Sequence, residues 1–308
     1  MKKRIKRIGL GFLLVVLVTV IVTIASFAIW KRQFIRELES QSTLVQTPLG
    51  QIEYAEIGQG RPILVVHGTP GGYDQPLSSI KATQSEKKGY RFIMPSRPGY
   101  LRTRLSVGAT PQEQAQAFAA LLTELHIDKV VVHAVSGGGP SALQFAMQYP
   151  ERCSALILEV ARTQSSEQPS DPPQASTVDD MIIWLFGEQI FIKPLQDKHP
   201  DDSVIATIER GKMYSRLPSA KRVMGKANDI SQFATIENWP LNQIRCPTLI
   251  LHGTADTNVP IANAEYAHDQ IANSEFVKFT GEDHLVTVTK HKEIEEAIAA
   301  FLARHPGT

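Results

Sequence analysis

The sequence predicts an α/β protein, built as a mostly parallel β-sheet with helices on both faces. Short runs rich in valine, isoleucine and leucine, each long enough for one buried strand, occur at Arg61–His67, Val130–Val135 and Cys246–His252. Between the first two lies Pro111–His126, whose apolar residues recur at helical spacing. Strands that alternate with helices form a parallel sheet covered by helices. With 308 residues, 43% of them hydrophobic, the chain can bury one large core and carry a smaller insertion.

The strand at Val130–Val135 runs directly into a serine, three glycines and a helix. Ser136 occupies the turn, and Pro140 suits the first turn of the helix that follows. A strand that becomes a helix within about two residues strains the backbone of the serine and leaves room only for very small neighbours. Ala134 and Gly138, two residues before and after it, are small enough. A phosphate-binding turn is the alternative, but the glycine spacing fits neither the dinucleotide-binding pattern nor the P-loop.

This turn resembles the nucleophile elbow of the α/β-hydrolase superfamily, with Ala134 where the family's G-x-S-x-G usually has its first glycine. The resemblance implies that Ser136 is a nucleophile. It covers residues 44–302 and implies a domain over residues 44–308, with a sheet of about eight strands and a helical cap between the sixth and seventh. Residues 163–240, which contain no strand-like run, resemble that cap.

Two later segments resemble the parts of the family that supply the acid and the base. The H-G-x-x-D-x-x-V-P pattern after Cys246–His252 implies Asp256 as the acid, and a G-x-x-H loop implies His284 as the general base. The three motifs follow one another in the order Ser, Asp, His, which is a much stronger signal than any one of them alone. Glu159, at the end of the preceding strand, is the alternative acid because some members of the fold place their carboxylate there.

A loop at His67–Gly72 resembles the family's oxyanion loop. The resemblance gives one backbone N–H donor to Thr69 and the second to Gly137, directly after the nucleophile. His67 itself is expected to orient this loop, because a residue that ends another strand usually does not reach the nucleophile. Arg97 lies in a segment similar to the family's D-R-P-G-Y/F-G motif, with Ser96 in place of the acid, and is also expected to be structural.

The cap contains a segment, Asp180–Ile192, that is apolar nearly all round, and a second helical stretch at Ser203–Tyr214. A proline-rich break at Pro169–Pro173 precedes both. One interpretation is that the large apolar side chains of the first segment are only the core of the cap; these are Ile182, Trp184, Leu185, Phe186, Ile190 and Phe191. By the resemblance, Met181–Ile192 is also expected to roof an acyl pocket, and the two interpretations do not exclude each other.

The resemblance implies a serine hydrolase that cleaves small or apolar acyl esters, lipid-like esters included, through an acyl-enzyme. It implies no cofactor, and the net charge of +1 gives no reason to expect a nucleic-acid partner. Dehalogenases and epoxide hydrolases of this fold need a carboxylate where Ser136 stands, so they are disfavoured. Two alternatives stay open: an aminopeptidase similar to proline iminopeptidases, which share a loop like His67–Gly72, and a non-catalytic, membrane-tethered binding module. The sequence does not indicate the oligomeric state.

The two cysteines, Cys153 and Cys246, lack metal-ligand spacing. They begin two similar strands that would be neighbours in this fold, which leaves a disulfide open beside the favoured state of two buried thiols.

The N-terminus predicts a membrane anchor. Residues 1–7 carry five basic side chains, whereas residues 8–30 carry no charge and, at about 1.5 Å per residue, suffice to cross a hydrocarbon core of roughly 30 Å. A cleaved signal peptide is the alternative, but its apolar region is usually only about 7–15 residues long. The positive-inside rule then predicts a single-pass cell-membrane protein with residues 1–7 in the cytoplasm, a polar stalk at 31–43 and the main domain outside.

Overall fold

The computed structural model describes residues 2–166, 171–237 and 239–307, with the backbone alone for residues 2–9. The chain divides into two compact units, Met1–Gln41 and Ser42–Thr308. The first unit is one helix, α1 (Lys2–Ser40), and its part Leu10–Ser40 is long and apolar enough to cross a membrane. A signal sequence at an N-terminus has the same apolar character. The predicted span lies inside this helix, which continues through most of the predicted stalk.

The second unit is built on one eight-stranded sheet, which confirms the predicted fold class. The spatial order of the strands is β1-β2-β4-β3-β5-β6-β7-β8. The pairs β1 with β2 and β2 with β4 are antiparallel, and every other pair is parallel. The strands are β1 (Thr43–Thr47), β2 (Gly50–Gly58), β3 (Arg61–Val66), β4 (Tyr90–Pro95), β5 (Val130–Val135), β6 (Cys153–Glu159), β7 (Thr248–Gly253) and β8 (Ser274–Phe279).

The register of the central strands brings their carboxyl ends to one edge of the sheet. Val66 pairs with Ala134, and Val135 pairs with Glu159. The loop after β3, the turn after β5 and the end of β6 therefore lie side by side, which is where ligands bind in parallel sheets. The buried valines of β5 hold this strand in the middle of the core.

Helices accompany the sheet outside the cap. Helix α3 begins with a capping box, in which the Thr110 side chain accepts from the Glu113 N–H at 3.2 Å and the Glu113 carboxylate accepts from the Thr110 N–H at 2.9 Å. These helices are α2 (Asp74–Thr83), α3 (Pro111–Glu124), α4 (Gly139–Gln148), α9 (Ala262–Gln270), α10 (Val286–Thr289) and α11 (His291–Arg304).

The insertion between β6 and β7 contains helices and no strand in its described residues. Residues 167–170 and 238 of the predicted cap, and with them part of the proline-rich break, lie outside the described residues. A wider helical turn at Glu188–Ile192 joins the first two helices. The helices are α5 (Thr177–Gly187), α6 (Lys193–Lys198), α7 (Ser203–Tyr214) and α8 (Val223–Phe233).

The apolar segment Asp180–Ile192 does not form the core of the cap as a whole. Ile192 packs with Ala206 and Met213, but Phe186 is 52% exposed and Ile190 is 51% exposed. The helix is therefore apolar on its outer surface as well as its inner one, and the prediction that these side chains are all cap core is wrong.

Candidate active site

The turn after β5 has the strained geometry that its sequence predicts. Ser136 has φ of 51°, in the left-handed region that residues with a Cβ rarely adopt. Ala134 is fully buried, and a Cβ added to Gly138 would lie 2.5 Å from the carbonyl oxygen of Val66. Only a residue without a side chain fits at position 138, so the small neighbours are what allow the chain to turn this sharply and present the Ser136 hydroxyl.

The structure brings Ser136, His284 and Asp256 into one chain of hydrogen bonds. Nε2 of His284 lies 3.1 Å from Oγ of Ser136, and Nδ1 lies 2.6 Å from Oδ2 of Asp256. With the proton on Nδ1 donated to the carboxylate, Nε2 is free to accept the serine proton. This arrangement can remove a proton from the serine hydroxyl and stabilise the imidazolium that results.

The Asp256 carboxylate is itself held by several donors. Its Oδ1 accepts from the backbone N–H groups of Asn258 and Val259, both at 2.9 Å, and Nε2 of His252 lies 3.4 Å from Oδ2. Burial alone would raise the pKa of Asp256, but the hydrogen bonds from His252, His284 and Val259 hold that pKa well below its usual range. The carboxylate is therefore ionised at neutral pH, as an orienting acid must be.

The alternative acid, Glu159, is bonded to a different histidine. Its Oε2 lies 2.8 Å from Nε2 of His133, a residue of the neighbouring strand β5. Both side chains line the same cavity as Ser136. The structure therefore brings Asp256, and not Glu159, to the Nδ1 atom of His284.

Thr69 and Gly137 lie next to each other beside the serine. A Cβ added to Gly137 would overlap the Thr69 hydroxyl. The Thr69 N–H has no hydrogen bond to another described residue, so it is available to a ligand. Backbone donors beside a nucleophile can stabilise an oxyanion, and the assignment of that role to Thr69 and Gly137 stays a prediction.

His67 orients the loop rather than taking part in the hydrogen-bond chain of Ser136. It is fully buried, its Nδ1 donates to the carbonyl of Gly68 at 2.8 Å, and its Nε2 accepts from the Arg97 N–H at 2.9 Å. Burial, together with the nearby Arg97 guanidinium, lowers the pKa of His67, so the ring is neutral. The expected structural role of His67 agrees with these contacts.

One buried carboxylate, Asp229 of α8, ties the cap to this loop, and sequence reasoning missed it. Arg97 donates to both its oxygens, at 2.7 and 2.6 Å, and the Tyr100 hydroxyl donates to Oδ2 at 2.6 Å. The Thr69 hydroxyl also donates to this carboxylate. Asp229 thus fixes the side chain of Thr69, which lines the cavity beside Ser136. No local motif around position 229 signals this contact.

A cavity of about 420 Å³ extends from Ser136 and His284 between the sheet and helices α2, α7 and α11. Its apolar wall includes Val65 of β3, Phe92 of β4 and Ile298 of α11. The described residues of segment 181–192 contribute nothing to the lining. The expectation that this segment roofs an acyl pocket is therefore wrong, since sheet residues and other helices enclose the pocket instead.

The two cysteines lie next to each other away from this cavity. Cys153 and Cys246 are buried thiols whose sulfur atoms are 3.5 Å apart. Within the described ranges, no group of three or more His, Cys, Asp or Glu side chains is arranged to hold a metal ion.

Comparison with known proteins extends the likeness from the site to most of the chain. An uncharacterized hydrolase of Bacillus subtilis, YcgS, is 31% identical over 263 residues, which are 78% of this chain and 90% of that protein. An α/β hydrolase fold protein of Nakamurella multipartita superposes with a TM-score of 0.73 at 29% identity, covering 84% of this chain and 97% of the other. An esterase of Thermogutta terrifontis shares the fold, with a TM-score of 0.64 at 24% identity and coverage of 86% and 99%.

The family model described as alpha/beta hydrolase fold matches residues 61–290. That range includes the strained serine turn, both partners of its hydrogen-bond chain and the whole cap. Most of the second unit therefore follows one known pattern of sequence and structure, and the chain belongs to the α/β-hydrolase fold family.

Proposed function

We propose that this protein is a serine hydrolase that cleaves ester bonds through an acyl-enzyme on Ser136. Membership of the family and the likeness to named hydrolases support hydrolase activity in general. The observation that carries the finer proposal is the continuous hydrogen-bond chain from Ser136 through His284 to Asp256. A serine hydroxyl beside a correctly oriented imidazole is the arrangement that activates an otherwise weak nucleophile.

The reaction proceeds in two halves. Nε2 of His284 takes the Ser136 proton while Oγ attacks the ester carbonyl, and the oxyanion accepts hydrogen bonds from the N–H groups of Thr69 and Gly137. His284 then protonates the departing alcohol, which leaves an acyl-serine. The same imidazole activates a water molecule that releases the acid. Each oxyanion donor is expected to contribute about 3 kcal/mol to lowering the barrier.

The apolar wall of the cavity supports an ester with an apolar acyl group. Val65, Phe92 and Ile298 offer apolar surface, and burying one CH₂ group contributes about 0.8 kcal/mol. A volume of about 420 Å³ lies within the range typical of small-molecule sites. The substrate is therefore a small-molecule ester of moderate chain length.

The test combines labelling with a substrate panel. A fluorophosphonate probe is expected to label the full chain, and kcat/KM on p-nitrophenyl esters should rise several-fold for each added pair of carbons until the cavity is full. Aminoacyl amides in the same panel distinguish the peptidase alternative. Absence of labelling would favour a non-catalytic binding module, and cleavage of aminoacyl amides alone would favour an aminopeptidase.

We also propose that α1 anchors the protein in the cell membrane, with its N-terminus in the cytoplasm and the hydrolase unit outside. The apolar length of α1 and the basic residues before it support this topology. The protein should stay in the membrane fraction after a wash at high pH, and a reporter that is active only outside the cytoplasm should be active when fused after Thr308. Recovery of a shorter soluble protein would favour a cleaved signal peptide instead.

A further inference from the structure

Two polar side chains of α7 line the same cavity as Ser136, and the hydrolytic reaction gives neither of them a role. Glu209 is only 4% exposed, and its buried Oε2 has no hydrogen-bond partner among the described residues. Lys212 donates one hydrogen bond, from Nζ to Oγ1 of Thr287 at 2.9 Å. An ammonium group has three protons to donate, and no second acceptor for them is found in the described part of the chain. A buried polar atom without a partner is costly, so Oε2 of Glu209, beside the half-buried Lys212, indicates that this part of the cavity receives a polar group.

The charges around the patch are of both signs. The electrostatic neighbours of Lys212 are Glu209, Glu159, Arg216 and Asp283. A carboxylate on a ligand would therefore face two glutamates of the cavity wall, and an ammonium would face Lys212 and Arg216. Burial raises the pKa of Glu209 and lowers that of Lys212, so both groups are disfavoured as isolated charges. A group without net charge that both donates and accepts hydrogen bonds suits this environment better than either ion.

We propose that Lys212 and Glu209 bind a hydroxyl group of the ester substrate. The Lys212 N–H donates to the hydroxyl oxygen, and the hydroxyl proton is donated to Oε2 of Glu209. The hydroxyl belongs either to the acyl chain or to the alcohol, because the same two contacts serve both. This inference rests on the proposed ester hydrolysis and names the substrate class of that site: hydroxylated esters.

A hydrogen bond ties the patch to the chain segment that carries His284. Thr287, which holds Lys212, is in the short helix α10 and follows His284 by three residues. Three residues of chain reach at most about 11 Å even when fully extended, so the bound hydroxyl is expected near the ester carbonyl rather than at the end of a long chain. A site that hydrogen-bonds a substrate hydroxyl discriminates more strongly than an apolar wall discriminates by length, because the plain analogue leaves both partners unpaired.

The experiment compares hydroxylated and plain esters of equal carbon number in two sets. One set contains methyl esters of 2-hydroxy, 3-hydroxy and unsubstituted alkanoic acids, and the other contains alkanoate esters of diols and of plain alcohols. Hydrolysis is measured by the release of acid. The readout is the ratio of kcat/KM for the hydroxylated ester to kcat/KM for its plain partner. We expect a preference of about tenfold or more in one set, and that set identifies which half of the substrate carries the hydroxyl.

Two variants and a control tie the preference to the patch. In Lys212→Met and in Glu209→Met the ratio should fall at least about fivefold, since each change removes one of the two contacts. Lys198→Met, which removes a lysine that is exposed on the cap and does not line the cavity, should keep the wild-type ratio. Should Lys212→Met fail to fold, Glu209→Met, which keeps the length of the side chain and replaces a buried acceptor that has no partner, carries the comparison.

The inference is overturned if hydroxylated and plain esters are hydrolysed equally well in both sets, or if the variants at Lys212 and Glu209 keep the preference for the hydroxylated ester. It is also overturned if esters with a carboxylate or an amino group at the same position are hydrolysed better than the hydroxylated ones. Each of these outcomes leaves ester hydrolysis standing. A protein that hydrolyses none of the esters would overturn the proposed function, and this inference with it.

Discussion

Replacement of Ser136 with alanine is expected to lower kcat on the best ester by about a millionfold and to abolish fluorophosphonate labelling. The hydroxyl is the nucleophile in the proposed reaction, and an alanine methyl group cannot form the acyl-enzyme. The fold should survive, because serine and alanine both carry a Cβ and experience the same backbone strain at φ of 51°. Circular dichroism and thermal unfolding of both proteins would check that the loss is chemical.

Ser141→Ala provides a matched control. Ser141 is a buried serine of α4, and its hydroxyl donates to the carbonyl of Gly138 at 3.1 Å. Its loss should cost about 1 kcal/mol of unfolding free energy and leave labelling intact. Undiminished turnover in Ser136→Ala would contradict the assignment of the nucleophile.

Much of the fold follows from local pattern in the sequence. Strand β5 and helix α7 begin and end at the predicted residues, because buried β-branched runs and helical spacing are strong signals over such lengths. Helix α2 is not predicted, since it buries only Pro76, Leu77 and Ile80. Three apolar residues, one of them a proline, make too short a stripe to detect, and packing in the folded protein decides this element instead.

The residues of the site are also of two kinds: those that a local motif predicts and those that it does not. Ser136, Asp256 and His284 each lie in a short motif, so the sequence predicts which residues meet. The Asp229 network joins α8 to Thr69, Arg97 and Tyr100, which lie 160, 132 and 129 residues earlier in the chain, and no local spacing reveals it. The Glu209 and Lys212 patch belongs to a helix whose sequence looks ordinarily amphipathic. Contacts between distant segments depend on the tertiary structure and are not visible in any single stretch.

The wrong prediction that the apolar segment of the cap roofs the pocket has a related cause. Composition shows that Asp180–Ile192 is rich in large apolar residues, but it does not show which way they face. The pocket is enclosed by α2, α7, α11 and the sheet, while Phe186 points outward. An apolar segment near a site in the sequence is therefore weak evidence that it lines that site.

Asp256→Asn is expected to lower kcat on the same ester by about 10,000-fold. The carboxylate holds the proton of His284 on Nδ1, and an asparagine amide at the same place can present a donor there and favour the wrong tautomer. Glu159→Gln should cost less than about tenfold, because Glu159 bonds to His133 and leaves the contact between His284 and Asp256 intact. The two variants are to be compared at one pH with one substrate.

The same substitution should change how stability depends on pH. The folded protein holds the pKa of Asp256 below its unfolded value of about 3.9, so the carboxylate contributes stability that is complete above that pH and is lost as the pH falls through the lower, folded-state value. Asp256→Asn lacks this contribution. Its unfolding free energy should therefore fall less steeply with acid below about pH 4 than that of the wild type, as urea unfolding at several pH values would show.

The ranking of the two carboxylates is the decisive comparison, because Glu159 ends β6, Asp256 follows the neighbouring parallel strand β7, and both have a histidine partner. The two carboxylates bond to different histidine rings. Asp256 bonds to the ring of His284, whose other nitrogen faces Ser136, whereas Glu159 bonds to the ring of His133 on β5. A large loss in Glu159→Gln with a small one in Asp256→Asn would assign the acid to Glu159 and require His284 to be oriented by another group. The expected ranking would tie the loss of rate to the single 2.6 Å hydrogen bond between Asp256 and His284.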